Sequence, residues 1–173
     1  SILRPEILSA DRRAGEHLLV YQTAEGNEAL TAALAASGLE CRIYGMRRGL
    51  GEDVVEGNLT YRPFSEGTFI LDLATSRAVV AGGGFTLMSE SVFLHKPMLS
   101  MPVVGQFEQT LNALYLEREG FGRHARALTE PALRSFLDAL PACEERLSQY
   151  SQDGNRLLFA ALDELLDALA AGV

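Results

Sequence analysis

The chain has 173 residues, 47% of them hydrophobic and 22% charged, which is the size and composition of one globular domain able to bury a real core. Its formal net charge of -8 excludes a nucleic-acid backbone as partner, because binding of that kind needs a basic face. Any nucleotide it takes is therefore a small one.

In chain order, the run Arg4-Pro5-Glu6 reads like a linker entered midway, so residues 1–16 are expected to be a linker from a preceding N-terminal domain and 17–173 the folded domain. Residues 17–23 form a short apolar run of strand length, ended by the turn-forming residues 24–27. Asn27 can cap a helix through Ser37 with Leu30, Ala33 and Leu34 inward, and Gly38 stops it. Residues 39–45 alternate as a second strand. A polar loop over 47–58, in which Arg47 and Arg48 read as solvated, leads to a short third strand over 59–64. Ser65 begins a helix with Phe69, Ile70 and Leu73 inward. Residues 77–81 are a fourth strand, apolar throughout, as strands covered on both faces are. A helix over 85–95, a fifth strand over 97–103 and a helix over 107–119 follow. The remainder reads as three helices, 130–140 after the cap Thr129, 142–150, and 155–171. In the last, Leu157, Leu158, Ala161, Leu162, Leu165, Leu166 and Leu169 make a wide apolar stripe.

Strands alternating with helices predict an α/β fold, a doubly wound, Rossmann-like parallel sheet with helices on both faces and a helical C-terminal segment. With strand order 3-2-1-4-5, the chain reverses direction across the sheet between the first and fourth strands, and ligands bind at the carboxyl ends there. The loops meeting at that point are 23–27, with Thr23 and Gly26, and 82–85.

The second of these loops holds the triplet Gly82-Gly83-Gly84, between an apolar strand and a helix. Its glycines leave backbone N–H groups free to face a phosphate, and the helix N-terminus adds partial positive charge. Glu90 lies one turn beyond Thr86 on the same helix face. It either accepts hydrogen bonds from the vicinal hydroxyls of a ribose or stabilises the helix through its dipole. Glu108, Gln109 and Asn112 share one side of the next helix and suit hydroxyls, although polar residues at a helix start are commonly just solvated. Phe64 can stack on a base or pack beneath the sheet. There is no G-x-x-x-x-G-K-[ST], and Leu87 stands where G-x-G-x-x-G needs its third glycine, which argues against an ATPase or a dinucleotide oxidoreductase. Cys41 and Cys143 share no metal-ligand spacing with His17, His95 and His124, so neither structural zinc nor a disulfide framework is expected. No apolar run approaches the roughly 18 residues that span a bilayer, and the N-terminus has no signal-peptide form. A cytoplasmic location is expected.

Residues 82–90, 96–102 and 106–113 together give a Gly-Gly, Glu, Pro, Pro, Glu-Gln, Asn string. That string resembles the donor-binding signature of GT-B glycosyltransferases, and it is most similar to the bacterial and archaeal relatives of the peptidoglycan N-acetylglucosaminyltransferase and of the glucuronosyltransferases. The resemblance covers most of 18–122. It implies that Gly82, Gly83, Gly84, Phe85 and Thr86 face the diphosphate and that Glu90 holds the ribose. It further implies that Phe64, with Ser65 beside it, meets the base, uracil in related enzymes, and that Glu108 and Gln109 bond the transferred sugar, with Asn112 supporting their loop. Plant-type relatives have His where this chain has Gly82 and a polar pair where it has Thr86-Leu87, which shifts the diphosphate contacts toward backbone N–H groups. The activity implied is metal-independent transfer of a sugar from a nucleoside-diphosphate sugar, UDP-linked by resemblance, to an acceptor hydroxyl, with no cofactor. The catalytic base is expected on an N-terminal acceptor-binding domain, so this fragment alone is expected to bind donor without turning it over. The partners implied are the nucleotide-sugar donor and that domain, with peripheral association of the whole enzyme at the inner membrane face as a further possibility. A nucleotide-sugar epimerase and a non-catalytic nucleotide-sugar-binding module are the alternative readings.

Overall fold

A computed structural model describes residues 2–23 and 27–170. Its elements in chain order are α1 (Pro5–Leu8), β1 (Leu18–Tyr21), α2 (Glu28–Ser37), β2 (Cys41–Tyr44), β3 (Val54–Glu56), β4 (Leu59–Tyr61), α3 (Glu66–Thr75), β5 (Ala78–Ala81), α4 (Phe85–Phe93), β6 (Met98–Ser100), α5 (Phe107–Arg118), β7 (Gly122–His124), α6 (Glu130–Ser148) and α7 (Arg156–Ala170).

The strands form one sheet in the order β3-β4-β2-β1-β5-β6-β7. Every neighbouring pair is parallel except β3 with β4. The five expected strands therefore lie in the expected order, and the reversal falls between β1 and β5, paired from Leu18 with Ala78 to Tyr21 with Ala81. Successive residues of a strand point to opposite faces. Leu18 and Val20 accordingly pack with Leu30 and Leu34 of α2 and Phe136 and Leu140 of α6. Leu19 packs on the other face with Phe69 and Leu73 of α3 and Met88 of α4. Both faces are covered, which is why β1 and β5 read as unbroken apolar runs.

Two strands escaped the pattern. β3 rises from the loop expected over 47–58 and pairs with β4 across a tight turn in which Gly57 takes φ 63°. β7 is Gly-Arg-His, without an apolar signature. It pairs with β6 because Gly122 lets the backbones meet, a Cβ there lying only 1.9 Å from the Met98 carbonyl oxygen.

One further expectation is corrected. The break expected between 140 and 142 is absent, because α6 runs through Pro141 as one helix with Leu140, Cys143 and Leu147 buried on either side of the ring. Residues 2–16 do not run free: Leu3 and Ile7 are buried in the core, and the Leu3 N–H and carbonyl are both held by the Asn155 amide at 3.0 and 2.8 Å. The Arg13 N–H bonds the Ala74 carbonyl at 3.1 Å. The buried Lys96 ammonium donates to the Arg13 and Ser76 carbonyls at 2.5 and 2.7 Å, and burial and then the Arg12 charge push its pKa down to about 8.

Helix α7 buries no residue, and its leucine stripe stands exposed. Among the described residues no helix is long and apolar enough to cross a membrane.

Candidate functional site

The carboxyl ends of β1 and β5 open into a crevice of about 150 Å³ lined by Tyr21, Gln22, Thr23, Gly82, Gly84, Leu87, Val103 and Gln109. Thr23 and the glycine loop both line it, while Gly26 lies outside the described residues. A larger apolar groove of about 480 Å³ runs between α4 and α5, lined by Phe85, Met88, Val92, Leu111, Tyr115 and Phe121 among others. Among the described residues its one charged lining residue is Glu119, so it suits an anion poorly.

Helix α4 begins at the crevice with no side chain capping it. Its first intrahelical bond runs from the Met88 N–H to the Gly84 carbonyl at 3.2 Å, which leaves the N–H groups of Phe85, Thr86 and Leu87 as donors of the first turn with no partner among the described residues. Together with the helix dipole these form an anion site.

The three glycines of this loop differ in their surroundings. The Gly83 N–H is not free for phosphate: it donates to Gln109 Oε1 at 3.1 Å, while the Gly83 carbonyl accepts from Asn112 Nδ2 at 3.1 Å. A Cβ at Gly83 would lie 2.4 Å from the Gln109 carbonyl oxygen, so this glycine is demanded by the close approach of α5. A Cβ at Gly84 would meet nothing within 4 Å, and one at Gly82 makes ordinary contact with Gln109 Oε1 at 3.5 Å. Gly84 leaves the mouth of the crevice open.

Glu90 is buried and paired. Its side chain is only 2% exposed, and both carboxylate oxygens are taken by the Arg4 guanidinium, Nε to Oε1 at 2.8 Å and Nη2 to Oε2 at 3.0 Å. Arg4 Nη1 reaches Glu66 Oε1 at 2.6 Å. The carboxylate therefore faces the N-terminal segment and is not open to hydroxyls in this structure. Phe64 is 66% exposed at the end of β4, with one edge supported by Phe69 and Tyr44 at ring-centroid distances of 5.8 and 6.4 Å. It is neither buried beneath the sheet nor free of it. Ser65 occupies the N-cap position of α3 without capping it, its Oγ accepting from Thr68 at 3.3 Å. Glu108 is exposed at the start of α5, whereas Gln109 and Asn112 turn in toward the glycine loop.

A family model for glycosyl transferase family 1 matches residues 1–141. The chain belongs to that family. Among its relatives, an uncharacterized glycosyltransferase of Methanosarcina mazei is 32% identical over 120 residues, covering 68% of this chain and 30% of the relative. One from Methanosarcina acetivorans is 36% identical over 77 residues, covering 44% of this chain and 20% of the relative. Among solved structures, the spinosyn forosaminyltransferase SpnP matches at TM-score 0.63 and 15% identity, covering 96% of this chain and 48% of that one. Phytolacca americana UGT2, complexed with UDP-2-fluoro-glucose and pterostilbene, matches at TM-score 0.60 and 14% identity, covering all of this chain and 45% of that one. At such identities the structural likeness shows the doubly wound α/β fold. The chain spans less than half the length of each of these proteins.

Sequence reasoning did not single out Arg4, whose guanidinium takes both Glu90 carboxylate oxygens. It sits in a segment read as linker, where nothing in the local pattern distinguishes it from any solvated arginine. Its partner is 86 residues away, and only packing of Leu3 and Ile7 into the core brings it there.

Proposed function

We propose that this chain is the nucleotide-sugar-binding half of a GT-B glycosyltransferase, similar to the peptidoglycan N-acetylglucosaminyltransferase and glucuronosyltransferase group, and that its donor is a UDP-linked sugar. The observation that carries this reading is the uncapped N-terminus of α4, set at the carboxyl end of β5 where the strand order reverses. Membership of glycosyl transferase family 1 supports it, as does the fold shared with a protein complexed with UDP-2-fluoro-glucose.

In this reading the diphosphate lies against the Phe85, Thr86 and Leu87 N–H groups, and the base stacks on the exposed face of Phe64. Glu90 takes the ribose hydroxyls in exchange for its Arg4 pair, and Glu108 reaches the transferred sugar. Donors fixed in a helix terminus need no reorganisation as charge develops on the departing diphosphate, so they stabilise the leaving group when an acceptor hydroxyl attacks the anomeric carbon. The acceptor and the catalytic base belong to an N-terminal domain.

Calorimetric titration of the chain with UDP and UDP-glucose tests the reading. Binding of both is expected, weakened in Glu90→Ala. Absence of binding at millimolar UDP, or affinity unchanged in Glu90→Ala, refutes it.

A further inference from the structure

We infer that Tyr44 is a positioning residue for the base: its ring, tied down through Asp72, holds the Phe64 ring in the one orientation on which a base can stack. The inference rests on the nucleotide-sugar reading of the crevice, and it adds to that reading two residues that touch no ligand.

Arg42 and Tyr44 stand two residues apart on β2 and so face the same side of the sheet. Phe69 and Asp72 lie three apart on α3 and share the helix face packed against that side. The Tyr44 hydroxyl donates to Asp72 Oδ2 at 2.6 Å, and Arg42 Nη1 donates to Oδ1 at 2.7 Å. Arg62, two residues before Phe64, sets its Nε 3.2 Å from the same Oδ2. One carboxylate, on a residue only 1% exposed, thus holds both the ring of Tyr44 and the chain that leads to Phe64. Burial and then the Asp72 bond raise the pKa of Tyr44, so its phenol remains a donor at any physiological pH.

The rings are built on that anchor. Tyr44 is fully buried, and its ring meets those of Phe69 at 5.1 Å and Phe64 at 6.4 Å, both edge to face. Phe69 in turn meets Phe64 at 5.8 Å. Phe64 is otherwise open to solvent, so these two rings are what steers it. Without such support a phenylalanine side chain samples three staggered wells about χ1. Phenylalanine at position 44 would fill the same core space. What the hydroxyl adds is a fixed ring orientation.

The test titrates the chain with UDP and with inorganic pyrophosphate, which meets the α4 N-terminus and carries no base. In Tyr44→Leu, Phe64 should spread over three wells, so the competent fraction falls to about one third and UDP affinity falls about threefold. Pyrophosphate should bind as it does in wild type, whereas a merely structural role for Tyr44 would weaken both ligands alike. The Hα–Hβ NMR couplings of Phe64 read the same effect without ligand: those of a single rotamer in wild type, averaged in Tyr44→Leu. Tyr44→Phe, which keeps the ring and loses the tether, should fall between the two in both measurements. Equal weakening of UDP and pyrophosphate in Tyr44→Leu overturns the inference. Rotamer-averaged couplings of Phe64 in wild type overturn it as well, and need no variant to fold. A Phe64→Ala chain that binds UDP as tightly as wild type refutes the stacking of the base on Phe64, and a wild-type chain that binds neither ligand refutes the nucleotide reading. In both cases the couplings still judge the hold of Tyr44 on Phe64.

Discussion

Replacing Gly83 and Gly84 separately by alanine should split two roles that a glycine triplet merges. At Gly83 the added Cβ meets the Gln109 carbonyl oxygen at 2.4 Å, its Cβ at 2.6 Å and its carbonyl carbon at 2.8 Å. Most of these are backbone atoms of a packed helix, so α5 itself must move, and the Gln109 and Asn112 bonds to Gly83 move with it. Overpacking of that kind costs about 3 kcal/mol. With a urea dependence of roughly 2 kcal/mol per molar for a domain of this size, the unfolding midpoint should drop by about 1.5 M. At Gly84 the Cβ has open space and φ is -64°, an ordinary value, so alanine should change the midpoint by no more than about 0.3 M, in the stabilising direction if at all. The same Gly84→Ala chain should bind UDP more weakly, because its methyl group stands at the crevice mouth. Urea unfolding followed by circular dichroism measures the first pair of effects. A Gly83→Ala midpoint as high as that of Gly84→Ala would refute the assignment of Gly83 to helix packing.

Two further outcomes are expected. Arg4→Met leaves the Glu90 carboxylate buried without its partner. The stability loss should be about 2 kcal/mol, reduced from the value for a fully buried pair because a third of the Arg4 side chain is exposed. A double-mutant cycle with Glu90→Gln should show coupling of about 1.5 kcal/mol, and additivity within error would dismiss the pair as unimportant. For His17, burial and then the Arg42 charge lower the pKa below its ordinary 6.5, so the native state gives up a proton that the unfolded chain keeps. That stability is present above pH about 6.5 and is lost as pH falls toward the native value. Urea midpoints measured from pH 7 to 5 should therefore decline more steeply for wild type than for His17→Gln, and parallel profiles would contradict the linkage.

The order of the central strands was legible because strands covered on both faces must be apolar throughout, and the runs at 18–21 and 78–81 are. Alternation with helices then constrains the winding. β7 was not legible, since Gly-Arg-His owes its pairing to a close backbone approach. The single helix across Pro141 was misread for a related reason: local chemistry argues for a break there, and burial of Leu140 and Cys143 on either side outweighs it.

At the site, sequence by itself determined that a glycine-rich turn opens a helix at the crevice and that polar residues gather on the following helix. Strand ends and helix starts are set by short-range pattern, and the order of the sheet is the usual one for strands alternating with helices. Only the tertiary structure decided which partner each group takes. The Gly83 N–H goes to Gln109, Asn112 turns back to the Gly83 carbonyl, and the Glu90 carboxylate is held by an arginine 86 residues earlier in the chain. A hydrogen bond is satisfied by whatever folding brings within about 3 Å, and that proximity is a property of the packed chain that no local spacing encodes.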